Sequence, residues 1–156
     1  MGKQVIWLID TSVLCNILEV PGRCQQKRDI VRQFRERTQE AHSFLLPLTT
    51  VLETGNHIGQ LRNPGERKAA GERFVATVLR AIAKERPFAP IPYPDDTKIR
   101  AWLPDFATHL DKGSGFGDYL IVRDWKAQIE LNRTRAVDVA VWSTDGHLSG
   151  FYHDGG

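Results

Sequence analysis

The run Val5-Ile6-Trp7-Leu8-Ile9, followed at once by Asp10-Thr11-Ser12, limits what this chain can fold into more than any other stretch. Five consecutive apolar residues, three of them β-branched, suit a strand buried on both faces, as in the middle of a parallel sheet. The run ends on a carboxylate and two hydroxyls. In an open α/β sheet the crevice beyond the carboxyl ends of the strands is where ligands bind. Asp10 is thereby placed at such a mouth, with Thr11 or Ser12 free to cap the helix that follows. Taken alone, the same pattern also fits a plain polar strand end.

Strands and helices alternate along the rest of the chain. Val13, Leu14, Ile17 and Leu18 recur at helical spacing, and Pro21-Gly22 ends that helix. A basic helix is expected over about 24–40. Phe44-Leu45-Leu46-Pro47 reads as a short strand, and Thr49-Thr50 opens a helix reaching about Leu61, closed by Asn63-Pro64-Gly65. Ala70, Phe74, Val75, Val78, Leu79 and Ile82 form one apolar stripe on the next helix. Four prolines exclude helix over 87–94, leaving Phe88 to Ile91 as a short strand or an extended connector.

Asp95 or Asp96 then caps a helix carrying Ile99, Trp102, Leu103, Phe106 and Leu110, in which Pro104 predicts a kink or two short pieces. Lys112-Gly113-Ser114-Gly115-Phe116-Gly117 reads as a flexible loop before a helix over about 118–131, with Ile121, Trp125 and Ile129 on one side. Val137 to Trp142 is the last long strand, ending in Ser143-Thr144-Asp145-Gly146, and Leu148 to Tyr152 adds a short edge strand. No repeat, linker or composition break divides the chain. The expected architecture is one three-layer α/β/α domain over residues 1–156, built around a small, mainly parallel sheet.

Composition narrows the function classes. The chain has 156 residues, 41% hydrophobic and 26% charged, enough for a core that needs no staples. No run reaches transmembrane length, and the N-terminus lacks the pattern of a signal peptide. Cys15 and Cys24 make neither a disulfide framework nor a zinc pattern, so a cytoplasmic protein without a membrane partner is expected. Cys15 falls on an apolar helix face and reads as core filler. The formal net charge of +2 does not announce a nucleic-acid binder, but its distribution is uneven. Residues 23–37 hold Arg23, Lys27, Arg28, Arg32, Arg35 and Arg37 against Asp29 and Glu36. Residues 62–86 hold seven basic against three acidic residues. Such runs are ordinarily solvated helix faces; beside an acidic site they become surfaces that track phosphates, with Arg28 and Arg32 the candidates for contact.

Four carboxylates stand where such a site would need them. Two strands end in the same punctuation, Asp10-Thr11-Ser12 and Ser143-Thr144-Asp145, so parallel central strands would bring Asp10 and Asp145 to one edge. Glu53 falls in the first turn of the helix after the second strand, near that edge. Asp118 opens the helix that feeds the last strand, which puts it at the opposite edge unless the Gly113 to Gly117 loop carries the chain back. Each acid also has a bland reading. Thr50-Val51-Leu52-Glu53 fits a capping box, Asp118 a first-turn acid favoured by the helix dipole, and Asp145-Gly146 a turn pair. Four converging carboxylates would repel one another and call for a divalent cation, and hard oxygen donors suit Mg²⁺ or Mn²⁺. Ser12 and Ser143 are placed to support those carboxylates by hydrogen bonds. Asn56 and His57, one turn beyond Glu53, either face the groove or are exposed helix polars. His109 and His147 have no partner that points to acid–base catalysis.

With Ile9-Asp10-Thr11-Ser12, Glu53, Gly117-Asp118-Tyr119-Leu120-Ile121 and Ser143-Thr144-Asp145 in this order and spacing, the chain resembles the PIN-domain nucleases over nearly its whole length. The resemblance implies a PIN-like α/β/α domain, and a metal site of Asp10, Glu53, Asp118 and Asp145 at which RNA phosphodiesters are hydrolysed. It also implies that the start of the Asp118 helix reaches the site. The proline-rich segment over 87–94 and the helix interrupted by Pro104 are longer than a minimal domain of this kind needs, and the extra length is a place where the substrate groove can be reshaped. A fifth acid often assists such sites; Asp138, Asp124 and Asp154 are the candidates.

Three readings compete. The first is a metal-dependent endoribonuclease, the toxin of a toxin–antitoxin pair, acting on single-stranded or structured RNA, with an antitoxin protein covering the groove and a homodimer as a further association. The second is a PIN-like fold serving as a non-catalytic RNA- or protein-binding module. The third, a phosphotransferase or receiver domain, needs a further acidic pair and a lysine at a late strand end, and no such lysine is present.

Overall fold

The first apolar run forms β1 (Val5–Ile9), the inner strand on which the sheet is built, in the computed structural model, which describes residues 2–110 and 114–156. β1 pairs in parallel with β2 (Ser43–Leu45) on one side and with β3 (Asp138–Trp142) on the other. β4 (Tyr152–His153) joins β3 antiparallel, giving the order β2-β1-β3-β4. A core on each face of the sheet explains why β1 carries no solvent-facing polar residue.

The two-residue period of the strands divides the interior into two cores. Trp7 and Ile9 meet Phe44 and Trp142 on one face, where Val13 and Leu14 of α1 (Thr11–Ile17), Ile30 of α2 (Lys27–Gln39), Ile58 of α3 (Leu48–Gly59) and Ala70 of α4 (Pro64–Ile82) cover them. Ile6 and Leu8 meet Leu45, Val139 and Val141 on the other face, under Ile121, Trp125 and Ile129 of α6 (Phe116–Leu131). Among the described residues the chain is therefore α/β, with six helices and a small four-stranded mixed sheet, compatible with three α/β/α layers.

Several elements differ from expectation for identifiable reasons. The sheet is mixed because the chain turns back after β3 and lays β4 antiparallel beside it. Thr11 and Ser12 do not cap α1; Asp10 is the N-cap, and both hydroxyls bond elsewhere. Phe88 contributes only one parallel bridge to Phe44, so the proline-rich segment is a connector. α5 (Asp96–His109), capped by the Asp95 side chain, runs through Pro104 without a break. Pro104 leaves the Arg100 carbonyl without its helical donor, and both residues are exposed where water can supply one. α6 starts at Phe116, inside the stretch expected to be loop, while the 112–113 part of that loop lies outside the described residues. On α4 only Ala70 is buried, while Val75, Leu79 and Ile82 are 53%, 58% and 58% exposed, because α4 leans on α3 rather than on the sheet.

Not every charge on the sequence is a surface charge. The Arg37 guanidinium lies between the indole rings of Trp7 and Trp142, 3.7 and 4.2 Å from their centroids, and burial pushes its pKa down to about 10. Asp138 opens β3 at the end of the sheet away from Asp10. Burial would raise its carboxyl, but hydrogen bonds from Lys3, Tyr152 and the Gly155 N–H outweigh that and hold its pKa at about 2. Asp154 pairs with the same lysine. Asp124 is buried on α6, and desolvation raises its pKa to about 7 against the pull of Lys98.

Asp124 yields a prediction with a defined sign. Because its folded pKa is raised, the stability that comes with its neutral form is complete below the ordinary value of 3.8 and is lost as pH rises toward 7. Asp124→Asn should therefore melt like the wild type at pH 4 and be more stable at pH 8, by on the order of 4 kcal/mol. Equal melting differences at the two pH values would show that burial does not hold this acid neutral.

Candidate functional site

β1 and β3 run side by side in the same direction, so Asp10 and Ser143-Thr144-Asp145 leave the sheet at one edge. α6 leads through a short connection into β3 and runs back along it, which brings the start of α6, and Asp118, to that same edge. The expectation that Asp118 lies at the opposite edge is thus corrected: a helix that precedes a strand starts where the strand ends. Glu53 arrives on the second turn of α3, since the helix already begins at Leu48. The four carboxylates line one groove of about 370 Å³, together with Arg23 and His57.

Hydroxyls fix the acids in place. Ser12 Oγ and Ser143 Oγ both donate to Asp10 Oδ2, at 2.9 and 2.7 Å. Each accepts a backbone N–H in return, Ser12 from Thr144 at 3.0 Å and Ser143 from Asp145 at 2.9 Å. One oxygen of Asp10 is thereby held by two donors while the loop that carries Asp145 is tied to α1. Both serine hydroxyls thus bond to Asp10, whereas Asp145 Oδ1 accepts from the His147 N–H at 2.9 Å. Thr11 Oγ1 donates to Glu53 Oε2 at 2.8 Å, and Thr50 Oγ1 donates to the Ile9 carbonyl at 2.7 Å. Those two bonds remove the capping-box reading of Glu53, because Thr50 is spent on β1 and Glu53 reaches toward α1. Gly117 admits Glu53 from the other side, since a Cβ there would collide with its carboxylate. Glu53 thus lies against the first turn of α6, where the helix dipole favours negative charge.

Electrostatics register the convergence. The Asp118 carboxyl is pushed up first by desolvation, then by the charges of Asp10, Asp145 and Glu53, with His147 opposing. None of the four acids makes an ion pair among the described residues. Nor, among those residues, do three His, Cys, Asp or Glu side chains close into a ready-made metal cage. The donor set is all oxygen and negatively charged, which fits a hard cation. Mg²⁺ in particular keeps several of its waters and needs only one or two carboxylates in direct contact.

The opposite wall of the groove was less visible in the sequence. Asn16, buried on α1, donates to the Ser12 carbonyl at 2.8 Å and accepts the Gln26 N–H at 2.9 Å, pinning the connection between α1 and α2. Gly22, at φ 78°, turns that connection so that Arg23 faces the acids. Arg23 was one of six basic residues in a run, and nothing local distinguished it. His57 lines the groove, its Nδ1 buried without a partner, and desolvation followed by Arg23 lowers its pKa. Asn56 is exposed. Arg32 pairs along its own helix with Asp29 and Glu36, at 3.3 and 3.5 Å, whereas Arg28 has no ion-pair partner among the described residues. Cys15 is buried beneath the groove, and burial raises its thiol, as suits filler. Neither Asp124, Asp138 nor Asp154 lines the groove, so none serves as a fifth acid.

Compared with known proteins, the chain matches no family model, no curated protein and no solved structure.

If the four acids share one field, removing one charge must be felt at another. In Asp10→Asn the Asp118 carboxyl should titrate at lower pH than in the wild type, as followed by carboxyl ¹³C NMR in metal-free buffer. An unchanged Asp118 titration would show that the two carboxylates are electrostatically independent.

Proposed function

We propose that the chain is a metal-dependent endoribonuclease in which Asp10, Glu53, Asp118 and Asp145 hold Mg²⁺ or Mn²⁺. One observation carries the reading: four carboxylates from four separate elements line a single groove beyond the carboxyl ends of parallel strands, without an ion-pair partner among the described residues. Such a groove repels a phosphodiester unless a cation is present. A divalent ion bound there polarises phosphoryl oxygens, makes water a better nucleophile at neutral pH and steadies the leaving oxygen. The chain's own contribution is position and charge. Ser12 and Ser143 hold Asp10 at the end of a rigid strand, Thr11 holds Glu53, and Arg23 offers a cationic side chain lining the groove for a substrate phosphate.

The choice of RNA, the PIN-like assignment and the toxin role with its antitoxin partner rest on the resemblance of the four motifs. The second reading is a non-catalytic RNA- or protein-binding module, in which the same four carboxylates carry out no hydrolysis.

A labelled single-stranded RNA incubated with the protein and rising Mg²⁺ or Mn²⁺ separates the two. Internal cleavage should appear with either metal, vanish in EDTA, and fall at least about a hundredfold in Asp10→Asn, the scale of losing one preorganised electrostatic group. Cleavage that persists in EDTA, or an Asp10→Asn variant as fast as the wild type, would contradict the metal-nuclease reading. RNA binding without cleavage under all conditions would favour the module.

A further inference from the structure

A second cavity, of about 280 Å³, adjoins the acidic groove, and Asp118 borders both. Its walls are of a different kind. Phe106 of α5, Tyr119 and Val122 of α6, and Phe151 from the segment before β4 supply apolar and aromatic surface. The Phe106 ring stands 5.5 Å from that of Tyr119, and the His109 ring 5.7 Å from the same tyrosine. One edge is polar: Tyr119 Oη donates to Asp105 Oδ2 at 2.7 Å, and Arg123 donates to Tyr119 Oη at 2.9 Å and pairs with Asp105. Lys126 lies at its rim, exposed and without an ion pair among the described residues.

The outer wall comes from α5, which buries no residue of its own. A helix with so little core to gain is nonetheless held in place, through Asp105 and Phe106, over the side of the acidic groove. The volume is at the lower limit of small-molecule sites, about 300 Å³, so it admits one flat heterocycle and not an element of a partner protein.

We infer that this cavity receives an unpaired nucleobase of the RNA strand whose phosphodiester lies in the acidic groove. The inference rests on the phosphodiester reading of that groove and deepens it, since an unpaired strand can turn a base into a side pocket without the cost of breaking a base pair. Aromatic walls stack any base, the Asp105 carboxylate at the polar edge accepts from base N–H groups, and Lys126 meets the neighbouring phosphate. The shared Asp118 wall sets the base beside the bond to be cut, so the pocket selects the nucleotide next to the cleavage position. A base-paired strand must first break a pair to use it.

The test reads binding with Ca²⁺ in place of Mg²⁺ or Mn²⁺, so that a hard cation relieves the repulsion between the carboxylates and the strand, and the RNA is checked for intact length after each titration. Uridine tetranucleotides carrying one 2-aminopurine at each position in turn are titrated with the wild type, with Phe106→Ala and with Val122→Trp, which fills the cavity; Phe106→Tyr is the conservative control. At one position the wild type should quench 2-aminopurine fluorescence, and replacing that base with an abasic site should weaken binding roughly tenfold. Phe106→Ala and Val122→Trp should lose the quenching and become indifferent to the abasic site, while Phe106→Tyr retains both. Folded variants that quench as the wild type does would overturn the inference, as would a wild type indifferent to the abasic site at every position, a result that needs no variant to fold. Quenching without metal-dependent cleavage would leave the pocket standing and remove the nuclease reading. Cleavage with no base dependence would do the reverse.

Discussion

Mutual repulsion among four carboxylates is the constraint around which the molecule is arranged. The Asp118 carboxyl is raised first by desolvation and then by the charges of Asp10, Asp145 and Glu53. The fold tolerates the cluster by distributing it over four elements and by giving three of the acids their own anchors. Asp10 has two hydroxyl donors, Glu53 has Thr11 and the first turn of α6, and Asp145 has a backbone N–H. These bonds orient the carboxylates but do not neutralise them. What remains is a standing negative field at the carboxyl edge of the sheet, useful to a protein that binds a cation and a burden to one that does not.

The sheet makes that arrangement cheap to build. Parallel neighbours end at the same edge, so two strand ends place Asp10 and Asp145 together without any loop having to travel. The same geometry brings the start of α6 to the edge, because a helix entering a parallel strand begins where that strand finishes. The two cores on either face then leave little freedom in how the four residues meet. Polar and apolar recognition divide along the Asp118 wall: charge and hydroxyls toward β1, aromatic surface toward α5.

Much of this was legible in the sequence for physical reasons that can be named. β1 and β3 announced themselves as apolar runs because both are buried on two faces, and Asp10 and Asp145 stood out as carboxylates at their ends. A basic run and turn residues located α2 and α3, and apolar periodicity located α4 and α6, to within a few residues. Periodicity overstated the burial of α4, since a stripe of apolar residues does not reveal whether a helix faces a sheet or only a neighbouring helix. The direction of α6 needed topology rather than residue type. Arg23 and the aromatic cavity were not legible at all: one depends on how Asn16 and Gly22 turn a loop, the other on where α5, α6 and the segment before β4 meet in space. The bland reading of Glu53 as part of a capping box fell only when Thr50 was seen bonded to the Ile9 carbonyl.

The central claim is that the four carboxylates form one charged unit made to be relieved by a divalent cation. Thermal melting of the wild type and Asp10→Asn, each with EDTA and with excess Mg²⁺, addresses it without reference to substrate. Without metal the variant should be as stable as the wild type or more so, because one repelling charge is gone. With Mg²⁺ the order should reverse, since binding to the native state stabilises the wild type by mass action and the variant has lost a ligand. Identical metal responses in the two proteins, or a wild type indifferent to Mg²⁺ and Mn²⁺ alike, would contradict the account.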